Sequence, residues 1–234
     1  MPSIAKVILF FSSAKATAIS VGLLGFCMST TWFHASMDCA AGASNATFEN
    51  GSATITVGLF DLISERKSCP SIGRDPEFFK VFAELGEIGP APQILHVLCV
   101  LLLVLCLVSS CGSILISLYN SVSNPYETYM GPVGVYVCSS VSACLSFAVL
   151  VLFALNVFVN HMPEELVKSL STLGPLKVRD PQIEMGLGYY LVIPYLALSL
   201  LAIGLIYLYQ HAAYTHRREQ QRPTQDAPKE IMMY

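Results

Sequence analysis

Four long apolar blocks, almost free of charged residues, dominate this sequence. The first covers residues 7–33 and contains Lys15 as its one charge, while the blocks at 94–118, 133–159 and 186–209 contain no Asp, Glu, Lys or Arg. A helix of roughly 20 apolar residues spans the hydrocarbon core of a bilayer, because its backbone groups are paired within the helix. The blocks therefore predict an all-α membrane protein, a bundle of four transmembrane helices.

The overall composition excludes a soluble domain and a disordered chain. Only 12% of the 234 residues are Asp, Glu, Lys or Arg and 54% are hydrophobic, whereas a soluble domain carries about 25% charged residues. A soluble chain this poor in charge would expose large apolar patches, and a disordered chain would need high charge. Because the first block is longer than the apolar region of a signal peptide, we expect a retained helix.

Four spans put both termini on the same side of the membrane. Lys and Arg near the span ends favour a cytosolic side for the termini only slightly. Two N-glycosylation sequons, at Asn45 and Asn50, fall between the first two spans and favour an extracellular position for that loop. We therefore expect a multi-pass protein of the plasma membrane, with segments 34–92 and 160–185 outside and segments 1–6, 119–132 and 210–234 in the cytosol.

The loop between the first two spans also holds two cysteines. Of eight cysteines, Cys39 and Cys69 lie in this loop, whereas the other six lie in or beside spans. An oxidising compartment outside the cell would pair them in a disulfide. The alternative is two free thiols.

The same loop is long enough to fold. Alternating β-branched residues at 53–60 predict a strand, preceded by a turn at Asn50 and Gly51. Asp75 and Pro76 predict the start of a helix, with apolar residues at helical spacing: Phe78, Phe79, Phe82 and Leu85. This helix either lies in the membrane interface or packs onto the strands. We expect a small extracellular β-sheet between the first two helices.

Several motifs carry a resemblance to a known family. Trp32 after the first span, Gly58-Leu59-Phe60 in the strand and two loop cysteines resemble the claudin and PMP-22 superfamily of four-helix proteins. Those families place both cysteines after a Gly-Leu-Trp, whereas Cys39 precedes Gly58 here, an arrangement similar to that of the clarins. The resemblance covers nearly the whole chain and looks closest to the third clarin paralogue. Further matching residues are Met1, Pro2, Leu95, His96, Pro125, Gly131, Pro132, Glu164, Glu165, Leu166, Met233 and Tyr234.

The resemblance implies a function without catalysis. It implies a tetraspan organiser that arranges partner proteins at a specialised plasma-membrane site, associated with sensory hair cells and hearing. Two rival functions are a claudin-like adhesion or barrier protein and an auxiliary subunit of a channel or transporter. The absence of Asp and Glu from every span opposes ion-coupled transport. The sequence shows no enzyme signature, no cofactor or metal motif and no nucleic-acid module.

Two titratable residues in the spans each allow two interpretations. Lys15 is either a functional intramembrane charge or a boundary residue, placed by the length of residues 16–33 at the inner surface, where its stem snorkels to lipid phosphates. His96 either senses pH or is a neutral histidine bonded to a neighbouring loop.

Small and aromatic residues complete the description of the spans. Small residues four apart allow close helix packing and are compatible with a homo-oligomer; they are Ala14, Ala18, Gly22, Ser109, Ser113 and Ser117. Tyr residues and Trp32 near the predicted span ends indicate an interfacial aromatic belt.

The cytosolic side offers candidate modification and binding sites. Cys111 and Cys138, near the inner span ends, are either palmitoylated or simply pack in the bundle. The polar tail ends in Met232-Met233-Tyr234, which suits the groove of a PDZ domain. The expected partners are therefore membrane lipids, other membrane proteins and a PDZ-domain scaffold.

Overall fold

A computed structural model describes residues 4–41, 51–67, 77–122, 131–170 and 176–220. These ranges contain six helices, which are α1 (Ile4–Ser29), α2 (Val81–Ile88), α3 (Pro90–Val122), α4 (Pro132–Phe158), α5 (Met162–Ser169) and α6 (Leu187–Gln220). They also contain five strands, which are β1 (Phe33–Ala41), β2 (Ser52–Val57), β3 (Asp61–Lys67), β4 (Glu77–Lys80) and β5 (Leu176–Met185).

The four long helices form the bundle that the sequence predicts. Within the described residues, α1, α3, α4 and the first 25 residues of α6 are long and apolar enough to cross a membrane. Helix α1 packs against α3 and α6, and α4 packs against the same two helices, which gives a four-membered arrangement. The first helix ends at Ser29, and Phe33, the last residue of the predicted block, already begins β1.

Two contacts between α1 and α6 define the two ends of the bundle. The Cys27 thiol donates to the carbonyl oxygen of Gly188 (3.1 Å) beside the β-sheet, at what we call the sheet end. The rings of Phe10 and Tyr209 lie 5.1 Å apart at the far end. The seventeen residue-to-residue steps from Phe10 to Cys27 rise about 26 Å along the helix, close to the thickness of the hydrocarbon core.

The β-sheet combines both segments that flank the spans at the sheet end. Its order is β4-β3-β2-β1-β5, and every neighbouring pair is antiparallel. The predicted small sheet is confirmed, and the structure adds a strand, β5, from the segment before the fourth span. Strand β5 is an edge strand that contains Pro181, and its pairing with β1 shifts register between Ser36 and Asp38. A proline in an edge strand costs no ladder hydrogen bond.

One face of the sheet is buried against α2 and α5. Its apolar side chains share a core with residues of those two short helices, and the most deeply buried members are Met37, Ile55, Val57, Leu62, Val81, Leu85, Met162 and Leu166. Each such side chain, moved from water into this core, contributes about 1.5–3 kcal/mol. Helix α2 therefore packs onto the sheet, as the second of the two interpretations expects.

The sequence analysis places the start of the helix near Phe78 too early in the chain. Phe78 and Phe79 lie in β4, and the helix begins at Val81. Alternate residues of a strand point to opposite faces, so Phe78 is exposed while Phe79 packs against the core. The predicted cap at Asp75 and Pro76 lies outside the described residues.

Candidate interaction surface at the sheet end of the bundle

Trp32 joins the bundle to the sheet. Its side chain is fully buried, its indole Nε1 donates to the carbonyl oxygen of Cys27 (3.0 Å), and its ring meets Phe153 of α4 edge-on at 4.7 Å. Its backbone N–H donates to Val57 of β2 (2.7 Å), and its carbonyl accepts from Gly186 (2.8 Å). The prediction that Trp32 belongs to an interfacial aromatic belt is therefore wrong.

The turn after β2 connects the sheet to α3. The Gly58 N–H donates to the carbonyl oxygen of Asp61 (2.9 Å), and Leu59 is buried between them. The Leu59 carbonyl accepts a hydrogen bond from Nε2 of His96 (2.8 Å). Phe60 is 41% exposed. Trp32, Gly58, Leu59 and His96 thus meet at one junction, although they are up to 64 positions apart in the chain.

The imidazole of His96 fits its site in the neutral form. Nε2 must carry the proton, because a carbonyl oxygen only accepts. The buried Nδ1 has no hydrogen-bond partner among the described residues, so a second proton there would leave a buried N–H unpaired. His96 therefore holds the neighbouring turn, as the second interpretation expects.

Two glycines let the start of α6 approach Trp32. A Cβ atom added at Gly188 would lie 2.6 Å from Trp32 Cδ1, and one added at Gly186 would lie 2.6 Å from the carbonyl oxygen of Thr31. Real Cβ atoms do not approach other atoms so closely. Any larger residue at either position would push α6 away from the junction.

The other face of the sheet is open. One row of directly paired residues crosses all five strands on this face, and it consists of Glu184, His34, Thr56, Ile63 and Phe78. The row changes from polar to apolar along its length: His34 Nδ1 lies 2.9 Å from Thr56 Oγ1, whereas Phe78 at the other end is 74% exposed.

A groove lies between this row and the bundle. It has a volume of about 780 Å³ and is lined by Thr56, Ile63 and Phe78 of the sheet and by residues at the ends of α1 and α6, including Gly25, Met28, Ser29 and Leu187. Asp61 also lines the groove and forms an exposed ion pair with Lys80 (2.6 Å). The groove therefore combines an apolar wall with a polar rim.

Several known proteins align with this chain over all or most of its length. No family model matches the sequence. Clarin-3 of Rattus norvegicus is 31% identical over 237 residues, which cover all of both chains. This chain belongs to the clarin family. Clarin-3 of Homo sapiens is 29% identical over both full lengths, while clarin-1 of Homo sapiens is 27% identical over 71% of this chain and 72% of its own. The chain is thus more similar to clarin-3 than to clarin-1.

The interior of this clarin bundle contains buried hydroxyls, several of which are bonded to a neighbouring helix. The Tyr195 hydroxyl donates to the carbonyl oxygen of Cys106 (3.2 Å) and lies 2.7 Å from Ser110 Oγ. Ser113 Oγ lies 3.1 Å from Ser139 Oγ. Such side-chain bonds join helices where no water competes. Within the described residues, no group of three or more His, Cys, Asp or Glu could hold a metal ion.

The small residues divide between the inside and the outside of the bundle. Ala14, Ser113 and Ser117 are buried, and Ser109 donates to the carbonyl oxygen of Cys138 (2.9 Å), in agreement with the predicted packing role. Ala18 and Gly22 instead are exposed on α1, so the prediction that they build the bundle is wrong.

Lys15 is exposed on α1 and points toward the far end. Its ammonium lies 4.7 Å from the centre of the Phe11 ring, one turn closer to that end. Because α1 stops at Ser29, only 14 residues follow Lys15 in the helix, about 21 Å. Fourteen residues are fewer than the roughly 20 of a spanning helix, so the interpretation of Lys15 as a boundary residue that snorkels stays a prediction.

Other predicted site residues are placed only in part. Gly131 caps α4 and Pro132 begins it. Cys111 is exposed and Cys138 is half-buried. The backbone of Cys39 pairs with Val178 in the sheet. The remaining predicted residues lie outside the described residues: Asn45, Asn50, Cys69, Pro125, Met232, Met233 and Tyr234.

Sequence reasoning missed three residues that position the surface. Gly186 and Gly188 admit Trp32, and Asn156, buried in α4, donates to the carbonyl oxygen of Pro92 (3.2 Å) at the start of α3. Asn156 is the one amide side chain in an otherwise apolar stretch of α4, a local signal that could have indicated a buried hydrogen bond. The glycines gave no such signal, because the partner that they admit is distant in sequence.

Proposed function

We propose that this clarin is a non-catalytic membrane organiser that holds partner membrane proteins against its sheet end. The observation that carries the proposal is the open face of the five-stranded sheet, which is fixed to α1, α3, α4 and α6 through the junction at Trp32. A rigid, partly apolar surface of this kind suits protein contacts. The exposed aromatic residue at its edge, Phe78, is of the residue class enriched in interface cores.

The interior of the bundle supports an organising role over transport. Its spans contain no Asp or Glu, and its buried hydroxyls near Tyr195 are bonded across the helices. Intramembrane acids are the usual sites of ion and proton coupling. An ionic current from the purified chain in planar bilayers would favour transport over an organising role.

Proximity labelling with the full chain in its native tissue tests the proposal. We expect Phe78→Ser to remove a defined set of membrane proteins from the labelled pool, because Phe78 is 74% exposed and its loss leaves the core intact. The matched control is Tyr214→Ser, an aromatic residue 66% exposed near the other end of α6. An identical pool for the wild type and Phe78→Ser would refute the role of the sheet.

The proposed orientation puts the sheet outside the cell and both termini in the cytosol at the plasma membrane. Asn45 and Asn50 would then carry N-linked glycans. Replacing each with Gln should remove one glycan each, seen as a step in electrophoretic mobility that a glycosidase abolishes for the wild type. A wild-type chain that is insensitive to the glycosidase would count against this orientation.

The family resemblance supports action at hair-cell membranes.

The open face of the sheet also favours a second candidate function, adhesion between cells. Phe60 and Phe78 are both exposed on the sheet end, where they could meet an opposing cell. Transfected cells that aggregate, with loss of aggregation for Phe78→Ser but not Tyr214→Ser, would favour adhesion over organisation within one membrane.

A further inference from the structure

Lys15 places a charge on the outer surface of the bundle, among exposed apolar residues. Its side chain is exposed on α1, and Phe11, Ile8 and Ile4 are exposed on the same helix toward the far end. The helix rises about 16 Å from Lys15 to Ile4, whereas a lysine stem has only four carbons. The ammonium therefore stays beside apolar side chains even when the stem extends toward the far end.

Helix α6 places Lys15 at the same depth. Tyr209 of α6 meets Phe10 of α1, so this contact lies more than one turn beyond Lys15 toward the far end. Tyr207 and Leu208, which precede Tyr209, are exposed as well. The apolar surface of the neighbouring helix thus also extends past Lys15. A charge at such a depth indicates a functional contact, because it is costly in lipid unless it is paired.

This chain offers no carboxylate to pair with Lys15 within the membrane. Among the described residues, no Asp or Glu forms an ion pair with Lys15. Its ammonium lies 4.7 Å from the centre of the Phe11 ring, and a cation–π contact offsets only part of the cost of a charge in lipid. Because the spans contain no Asp or Glu, the spans of a second copy cannot supply a carboxylate at this depth either. The counter-charge must come from a different molecule.

The helix face around Lys15 suits another helix. Phe11, Lys15, Ala18 and Gly22 are all exposed and follow one another at spacings of four, three and four, which places them on one face. A Cβ atom added at Gly22 would meet nothing within 4 Å. Small residues four apart let two helix backbones approach closely, here within one turn of the ammonium. A lipid phosphate lies at the membrane surface, whereas a carboxylate on a second helix can lie at the depth of Lys15.

The sheet confines this contact to the half of α1 nearer to the far end. Gly25 and Ser29 continue the same face, but they line the groove that Ile63 and Phe78 of the sheet also line. Helices that meet through small residues four apart cross at about 40°. A helix centred near Ala18 therefore diverges from α1 toward the groove.

We propose that Phe11, Lys15, Ala18 and Gly22 bind the transmembrane helix of a partner protein that carries one Asp or Glu within its span. The carboxylate pairs with the Lys15 ammonium, and the partner backbone packs against Ala18 and Gly22. This surface adds a contact inside the membrane to the organiser proposed above. It holds whether or not the sheet binds a partner.

A defined peptide tests the pairing. The full chain, labelled with a dye, is reconstituted in phosphatidylcholine vesicles with a fluorescent transmembrane peptide of leucine and alanine that carries one Glu. Energy transfer measures association, and peptides with Gln or Leu in place of the Glu are the controls. We expect the Glu peptide to associate roughly tenfold more tightly than either control. Moving the Glu along the peptide should give a maximum about one third of the way across the span, the depth of Lys15.

Variants of the chain separate charge from shape. Lys15→Leu should weaken association of the Glu peptide roughly tenfold, Lys15→Arg should preserve it, and Lys15→Glu should instead favour a peptide with Lys. Gly22→Leu should also weaken association, because its side chain projects from the face without meeting protein. The matched control is Gly204→Leu, at a glycine of α6 with equal free space. Melting temperatures of all variants report folding.

Proximity labelling in the native tissue tests the partner class. Lys15→Leu should remove membrane proteins whose spans contain Asp or Glu, and Lys15→Arg should retain them. Phe78→Ser should leave association of the Glu peptide unchanged, which separates this helix face from the surface of the sheet.

Several outcomes would overturn the proposal. They include equal association of the Glu, Gln and Leu peptides, and wild-type association of the Glu peptide with Lys15→Leu. A labelled pool that Lys15→Leu leaves unchanged, or from which it removes only proteins without an acidic residue in a span, would do the same. Enrichment of a spin-labelled phosphatidylserine that depends on Lys15, with no preference for the Glu peptide, would identify a lipid headgroup as the counter-charge instead.

Discussion

Nε2 of His96 donates a hydrogen bond of 2.8 Å to the carbonyl oxygen of Leu59, so a side chain of α3 holds the turn that follows β2. Both residues are buried. Removal of a buried donor destabilises the fold mainly because the partner carbonyl stays buried without a hydrogen bond from protein or water. The His96 bond therefore adds a link from α3 to the sheet beside those that Trp32 makes.

His96→Phe should destabilise the fold by about 1–3 kcal/mol, because it leaves the Leu59 carbonyl without a donor while it keeps a ring beside Phe82 and Phe153. The measurement is the free energy of unfolding in detergent micelles. His34→Phe, at an exposed position on the open face of the sheet, serves as the control. Equal effects of the two substitutions would show that the His96 bond is unimportant.

Gly188→Ala should cost about 1–3 kcal/mol, the usual penalty for overpacking a filled site, because the new Cβ would lie 2.6 Å from Trp32 Cδ1. The same change at Gly204 meets nothing within 4 Å and should stabilise α6 by up to about 1 kcal/mol. Thermal unfolding followed by the fluorescence of Trp32 measures both effects. A Gly188→Ala protein as stable as Gly204→Ala would contradict the close approach.

Tyr195→Phe should lower stability by about 0.6–2 kcal/mol, the range for side-chain hydrogen bonds between membrane helices. It removes the hydroxyl that lies 2.7 Å from Ser110 Oγ. A double-mutant cycle with Ser110→Ala isolates that pair, and we expect a coupling energy of at least about 0.5 kcal/mol. Tyr207→Phe, at an exposed tyrosine of the same helix, is the control, and strict additivity in the cycle would contradict the bond.

Glu84 of α2 should make stability depend on pH. Burial raises the pKa of Glu84 above its ordinary value, and the neighbouring Glu87 raises it further. The folded state then binds this proton more tightly than the unfolded state, so the stabilisation is complete below the ordinary pKa of 4.5 and is lost as the pH rises through the raised pKa.

Glu84→Gln should therefore raise the melting temperature at neutral pH, and the gain should shrink as the medium becomes acidic. Glu77→Gln, at an exposed position in β4, serves as the control for the melting temperature. If the gain in melting temperature from Glu84→Gln is the same at acidic and neutral pH, the Glu84 carboxyl has the same pKa in the folded and unfolded states.

The four spans and the strand around Ile55 were predictable because their signals are local. Hydropathy marks a helix that must pair its own backbone in lipid, and alternating β-branched residues mark a half-buried strand. Strand β5 gave no such pattern: Arg179, Asp180 and Pro181 interrupt it, and it is held by pairing with β1, which lies far away in the sequence.

The residues of the junction behind the candidate surface were predictable, whereas their arrangement and the open row of the sheet were not. Trp32, Gly58, Leu59 and His96 were selected by resemblance, yet the burial of Trp32 depends on the absence of side chains at Gly186 and Gly188. Likewise, the spacing of Ala18 and Gly22 identifies a smooth helix face, but spacing alone cannot say whether that face meets another helix or lipid. Both properties arise only when distant segments come together.

Strand β1 continues α1, and β5 leads through Gly186 directly into α6. These two strands are neighbours in the sheet, as their helices are in the bundle. A force applied to either strand would therefore be shared between α1 and α6, because the β1–β5 ladder joins the two strands side by side where they meet the bundle.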